Sequence, residues 1–171
     1  MALNVTLNLK KQMQEGKIVF GQTIGPGNDP EETVAALKEY GYDFIMMENE
    51  HSLVDKETIY EYIRVSRKLE IPILLRPEEK DGHFRCFMDA GVNGLMIPGI
   101  STVEETLYAI NQCYFPPIGH RGTGIGMSPY LLDSQNPAEM PLSDICTYVN
   151  DNVVLFPMTE NLQCISNLHR I

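Results

Sequence analysis

The sequence lacks most of what would place it outside a reduced compartment or on a nucleic acid. Its four cysteines, Cys86, Cys113, Cys146 and Cys164, are scattered, with no C-x-x-C pair and no histidine at ligand spacing. That argues against a zinc site and against a disulfide framework. No apolar run approaches the roughly 20 residues that span a bilayer. Residues 1–16 alternate polar and apolar side chains around Lys10 and Lys11, without the unbroken apolar core of a signal peptide. Basic residues are scarce: 13 Lys plus Arg against 23 Asp plus Glu leave a net charge of −10, which argues against a DNA or RNA scaffold. Gly122, Gly124 and Gly126 lack both a Walker lysine and dinucleotide spacing, so they do not make a nucleotide loop. The expectation is a soluble, cytoplasmic protein with neither membrane nor nucleic acid as partner.

What is present is alternation. The 171 residues, 43% hydrophobic and 21% charged, suit one globular domain. Short apolar runs at 18–23, 43–47, 72–76, 94–97 and 153–158 read as strands. Amphipathic stretches at 31–40, about 82–89, 143–149 and 161–171 read as helices, as does a stretch led by Asp55 with Ile59, Ile63, Ser66 and Leu69 on one face. Asp29 with Glu32 predicts a capped start with Pro30 in the first turn, and Gly41 a stop. Ser101 with Glu104 predicts a second capping box, ahead of a stripe of Val103, Leu107, Ile110 and Tyr114 that ends at Pro116 and Pro117. Residues 116–141, rich in Gly and Pro, read as a functional or partner-facing loop. Pro157 predicts a bulge or an irregular end to the fifth strand.

Five strand and helix units in strict alternation imply a parallel α/β sheet, because parallel strands need crossovers. Polar residues close several different strands, the way a barrel distributes its chemistry; an open doubly wound sheet gathers its ligand at one switch point. An eight-stranded barrel takes about 250 residues. Either the sheet is open or the chain holds about five of eight units.

Glu48, Asn49, Glu50 and His51 follow the second strand, putting two carboxylates and an imidazole on the rim where a parallel sheet opens. A histidine beside a carboxylate suits a general base, although the same residues would also make a solvated charged loop. Arg76 closes the third strand, where its planar donors suit a carboxylate or an enolate oxygen, or simply neutralise Glu48, Glu78 or Glu79. Glu160, after the fifth strand, offers one oxygen ligand for a hard cation, or else a dipole-favoured start to the next helix.

Taken together, these segments resemble the HpcH/HpaI family of metal-dependent pyruvate aldolases. The resemblance runs through G-Y-D-F-I-M-M-E-N-E-H (41–51), L-R-P (75–77), D-A-G-V-N-G-L-M-I-P (89–98), Y-F-P-P-I-G-H-R-G (114–122), and M-T-E-N-L with S-N-L near the end. It implies a TIM (β/α)8-barrel fold, with residues 1–171 as its N-terminal portion and the remaining units lying beyond them. It further implies that His51 is the general base, that Arg76 stabilises the enolate, and that Asp89 supports the basicity of His51. Glu160 becomes one of two metal carboxylates, the other belonging to a G-P-x-D-L-S motif beyond Ile171. Glu48 stands where the family usually has Asp, and Met158 where it usually has a substrate-binding Gln. The implied cofactor is a divalent metal, Mg²⁺ or Mn²⁺. The implied partners are a 2-oxo acid and an aldehyde, joined or cleaved as 4-hydroxy-2-oxo acids, with a homo-oligomeric assembly expected. The competing expectation is a non-catalytic barrel fragment that serves as a binding or assembly module.

Overall fold

A computed structural model describes residues 9–80, 82–124 and 140–171. Residues 125–139 of the glycine- and proline-rich loop, Gly126 among them, lie outside the described residues. In chain order the elements are α1 (Leu9–Gln14), β1 (Gly21–Ile24), α2 (Pro30–Glu39), β2 (Phe44–Glu48), α3 (Lys56–Lys68) and β3 (Ile73–Arg76). They continue with α4 (Phe84–Ala90), β4 (Gly94–Ile97), α5 (Val103–Cys113), α6 (Leu142–Asn152), β5 (Val154–Pro157) and α7 (Leu162–Asn167). No described helix is long and apolar enough to cross a membrane.

The strands form one parallel sheet in the order β1-β2-β3-β4-β5. A doubly wound sheet reverses its order at a switch point. This order never reverses, so the arrangement is that of a barrel wall. Side chains alternate between its faces. Ile45, Met47, Ile73, Leu75, Leu95 and Ile97 face the helices in the main core, whereas Met46, Leu74 and Val154 form a second cluster on the opposite face. Leu9 of α1, fully buried, and the partly buried Met13 cover that second cluster. The alternation read in residues 1–16 missed this helix, whose signal was the four-residue spacing of Leu9 and Met13.

Local chemistry explains most element ends. Asp29 and Asp55 accept hydrogen bonds from the backbone N–H groups of Glu32 and Thr58, starting α2 and α3. The capping box of α5 lies one residue later than expected, with Thr102 and Glu105 in place of Ser101 and Glu104. Its buried face shifts accordingly to Thr106, Ala109 and Cys113, while Leu107 is half exposed. Pro157 causes no bulge. It pairs in register with Ile97, and Met158 N–H donates to the Ile97 carbonyl at 2.9 Å. Successive N–H groups alternate sides along a strand, so the missing donor of Pro157 faces the open edge, where proline is tolerated.

Candidate active site at the C-terminal rim of the sheet

Glu48 and Arg76 are register partners on β2 and β3, so both side chains leave the rim side by side. Their carboxylate and guanidinium meet through Glu48 Oε2 and Arg76 Nη2. The other oxygen, Glu48 Oε1, accepts the backbone N–H groups of Glu50 (2.8 Å) and His51 (2.9 Å) and so folds the chain sharply after the strand. This turn carries Glu50 Oε2 back to 3.2 Å from Arg76 Nε and 3.5 Å from His51 Nε2. Burial opposes the charge on Glu48, but the His51 N–H, the Arg76 guanidinium and the Glu50 N–H outweigh it and hold the carboxyl below its usual range.

The cluster has unspent hydrogen-bonding capacity. Among the described residues, Arg76 Nε, Glu50 Oε2 and Asn49 Nδ2 are buried without a well-directed hydrogen bond. Arg76 Nε and Glu50 Oε2 lie 3.2 Å apart, close but poorly aligned. A cleft of about 770 Å³ opens beside Asn49 and Glu50, between the turn at residues 49–55 and Glu78 with Glu79. Buried donors left this way at a rim are what an incoming oxyanion satisfies.

The structure brings His51, Arg76 and Glu48 together, with one change of partner. Glu48 touches the backbone of His51, not its imidazole; the carboxylate beside the imidazole is Glu50. Nothing in the spacing favoured Glu50 over Glu48, because the choice depends on the turn that Glu48 closes. Glu160 lies at the same end of the sheet, past β5, and its Oε1 accepts the Gly99 N–H at 2.5 Å. Asn161 fixes that loop by donating to Ser101 Oγ at 3.0 Å. Met158 is half-buried after β5, its backbone paired to β4.

Asp89 is not brought to His51, which corrects the expectation of a supporting dyad within the chain. The helix after β3 runs back along the sheet, so its last turn lies near the start of β3, where Asn93 N–H donates to the Ile73 carbonyl. There Asp89 Oδ1 accepts from Arg121 Nη2 (2.6 Å) and Nε (3.2 Å). The Arg121 side chain is fully buried and stacks on the Phe115 ring at 4.5 Å. Sequence reading assigned Arg121 no role; its signal was a lone cation inside a glycine- and proline-rich stretch.

Residues at the rim do not amount to a complete metal site. No group of three or more His, Cys, Asp or Glu side chains that could hold an ion occurs among the described residues. Glu160 supplies one carboxylate, partly engaged by Gly99, and a hard divalent cation needs more oxygen ligands.

A family model for HpcH/HpaI aldolase/citrate lyase matches residues 26–171. The chain belongs to this family. A pyruvate aldolase of Rhizobium etli is 29% identical over 117 residues, 67% of this chain and 45% of the relative. A 2-keto-3-deoxy-L-rhamnonate aldolase of Escherichia coli is 21% identical over 168 residues, 98% of this chain and 60% of the relative. The crystal structure of an HpcH/HpaI aldolase from Desulfitobacterium hafniense superposes with a TM-score of 0.82 at 23% identity, over 94% of this chain and 60% of that one. The chain therefore spans about half to three-fifths of the length of these HpcH/HpaI relatives. Their likeness in fold accounts for the unreversed strand order.

Proposed function

We propose that this chain supplies the C-terminal rim of a class II pyruvate aldolase, which cleaves or forms 4-hydroxy-2-oxo acids from pyruvate and an aldehyde. The observation that carries this reading is the Arg76 Nε donor, buried without a well-directed partner beside the Glu50–His51 contact. In the cleavage direction His51 takes the proton of the C4 hydroxyl, and the C3–C4 bond breaks to release the aldehyde. The electron pair of that bond becomes the enolate of pyruvate, whose oxygen Arg76 stabilises. Proton return to C3 then gives pyruvate. Glu50 holds the imidazole and Glu48 holds the turn. The oxygen chemistry of Glu160 suits Mg²⁺ or Mn²⁺, but the described donor set is incomplete for either, and no step is assigned to the ion. Four unpaired cysteines favour a reducing cytoplasm.

The test is aldol turnover by the chain joined to the C-terminal portion of the Desulfitobacterium hafniense aldolase that it does not match. His51→Ala and Arg76→Met should each lower kcat by about 100-fold or more with unchanged circular dichroism. Full turnover in either variant removes that residue from the reaction. A second reading, a non-catalytic binding or assembly module, is favoured by the incomplete donor set; it expects no turnover from the joined protein.

A further inference from the structure

Of the two side chains that the proposed reaction sets to work on the substrate, His51 lines the cleft beside the β2–α3 turn and Arg76 does not. The proton that His51 takes sits on the C4 hydroxyl, whose carbon leaves as the aldehyde, whereas Arg76 meets the enolate of pyruvate. The aldehyde half of the substrate therefore lies on the cleft side of His51, and the chemistry of the cleft wall sets what that half can carry. The wall holds the carboxylates of Glu50, Asp55, Glu78 and Glu79 and, among the described residues, no Lys or Arg side chain. Glu50 lies against Arg76 and His51, and Asp55 accepts from the Thr58 N–H and hydroxyl, but Glu78 and Glu79 stand exposed. Lys80, which follows them, is turned to Glu105 Oε1 at 2.5 Å. Asn49 is an independent feature of the same wall. It is 3% exposed, and its Oδ1 accepts the Val54 N–H at 3.3 Å. A donor must face the carboxamide oxygen, so the Nδ2 end is left over, and among the described residues it is buried without a partner. An unmade buried donor costs free energy that a ligand oxygen recovers.

From these observations we propose that the cleft is the subsite for the acceptor aldehyde and takes an uncharged hydroxyaldehyde, with Asn49 Nδ2 donating to the hydroxyl oxygen and Glu78 and Glu79 turning anionic aldehydes away. The inference rests on the aldolase reading for the reacting end of the ligand, and on the cleft alone for its other end. A hydroxyl group accepts from Nδ2 through its oxygen and gives its proton to a carboxylate of the wall, so one substrate group uses both kinds of polar partner. A carboxylate tail also accepts from Nδ2, but it has no proton to give and meets two exposed like charges with no counter-ion in the wall. An alkyl aldehyde packs on Leu53 and Val54 but leaves Nδ2 unpaired, and a site built to bond a hydroxyl discriminates strongly against a substrate that lacks it. The carboxylate of the pyruvate half lies on the Arg76 side and is spared this repulsion. Asn49 is thus a specificity-determining residue that bonds the acceptor, and Glu78 and Glu79 act through their charge.

Two measurements test it, the first on the full chain itself. Nitrogen-15 spectra are followed while the chain is titrated with three unreactive probes of nearly equal shape: glycolamide, which is uncharged and carries a hydroxyl, propionamide, which lacks the hydroxyl, and glycolate, which is anionic. The side-chain amide signals of Asn49, assigned by their loss in Asn49→Asp, should shift with glycolamide at a Kd at least about tenfold below that for either other probe. Asn49→Asp keeps the oxygen that takes the Val54 N–H and removes the donor. The double variant Glu78→Gln with Glu79→Gln, which alters only exposed positions, should tighten glycolate binding at least about fivefold. In the second measurement the chain joined to the unmatched C-terminal portion of the Desulfitobacterium hafniense aldolase is assayed with pyruvate and glycolaldehyde, propanal or glyoxylate. Glycolaldehyde should have the highest kcat/KM by at least about tenfold, and Asn49→Asp should raise KM for glycolaldehyde about tenfold more than KM for propanal. The proposal is overturned by an Asn49 amide that does not respond to glycolamide, by an equal response to glycolate, by a double variant that binds glycolate no better, or by a joined protein that prefers glyoxylate or propanal. A joined protein that turns over none of the three counts against the aldolase reading, and the hydroxyl and charge selectivity of the cleft is then decided by the titration of the chain alone.

Discussion

Removing either member of the Asp89–Arg121 pair should destabilise the protein unequally, and the inequality can be worked from exposure. The Arg121 side chain is fully buried, whereas the Asp89 side chain is 30% exposed. Asp89→Ala strands a guanidinium whose remaining partners among the described residues are the Cys113 carbonyl at 3.4 Å and the Phe115 ring. Breaking a buried pair in that sense costs about 3–5 kcal/mol. Arg121→Met leaves a carboxylate that water can reach and an apolar side chain of similar length on Phe115, so the cost falls to about 1–3 kcal/mol once solvent screening is counted. For a domain of this size, 3 kcal/mol is a fall in Tm of about 6–12 °C. Urea denaturation of both single variants and of the double variant should give a coupling energy of about 2 kcal/mol. Equal costs for the two single variants, or a coupling below about 0.5 kcal/mol, would show that Asp89 is solvated and refute the buried-pair reasoning. In the joined protein Asp89→Ala should leave the pH profile of turnover unmoved, because Asp89 does not reach His51.

The remaining predictions concern the rim and the frame that carries it. Glu48 has a lowered pKa in the folded protein, so its stabilising contribution is complete above the ordinary value of 4.5 and is lost as pH falls through the lowered value. Glu48→Gln should therefore flatten the acid side of the stability profile, and an unchanged acid limb would contradict the assignment. Gly94→Ala would place a Cβ 2.1 Å from the Val154 carbonyl oxygen and 2.8 Å from Val154 Cγ1. The cost should be about 3 kcal/mol by urea denaturation as β4 and β5 are forced apart, and a loss below about 1 kcal/mol would mean that the strands separate freely. Thr102→Ala removes half of the α5 capping box and should cost about 1 kcal/mol, with Thr102→Ser restoring most of it; no loss on Thr102→Ala would argue against the cap.

The strands and the rim were legible because they depend on local pattern. Alternation of apolar runs with capped amphipathic stretches placed all five strands, and polar residues at several strand ends pointed to a barrel wall before its strand order was visible. What stayed hidden depends on return paths and on tight turns. Asp89 and Arg121 are 32 residues apart and meet because α4 runs back beneath the sheet, a contact that no spacing rule anticipates. Glu50 became the neighbour of His51 only because Glu48 spends an oxygen on two backbone N–H groups. The one-residue shift at α5 came from choosing between Ser101 and Thr102, both competent caps: Ser101 N–H and Thr102 N–H each reach Glu105 Oε2, but only the Thr102 hydroxyl receives the Glu105 N–H.

The central claim is that Arg76 and His51 act together on a pyruvate-derived enolate, and proton exchange tests it most directly because it needs no aldehyde. In deuterium oxide with Mn²⁺, the chain joined to the C-terminal portion of the Desulfitobacterium hafniense aldolase that it does not match should exchange the methyl protons of pyruvate, as followed by proton NMR. Arg76→Met should reduce that exchange by about 100-fold while circular dichroism stays unchanged, with Tm lowered because the buried Glu48 carboxylate loses its guanidinium partner. Exchange at the parental rate in a folded Arg76→Met protein would contradict the account.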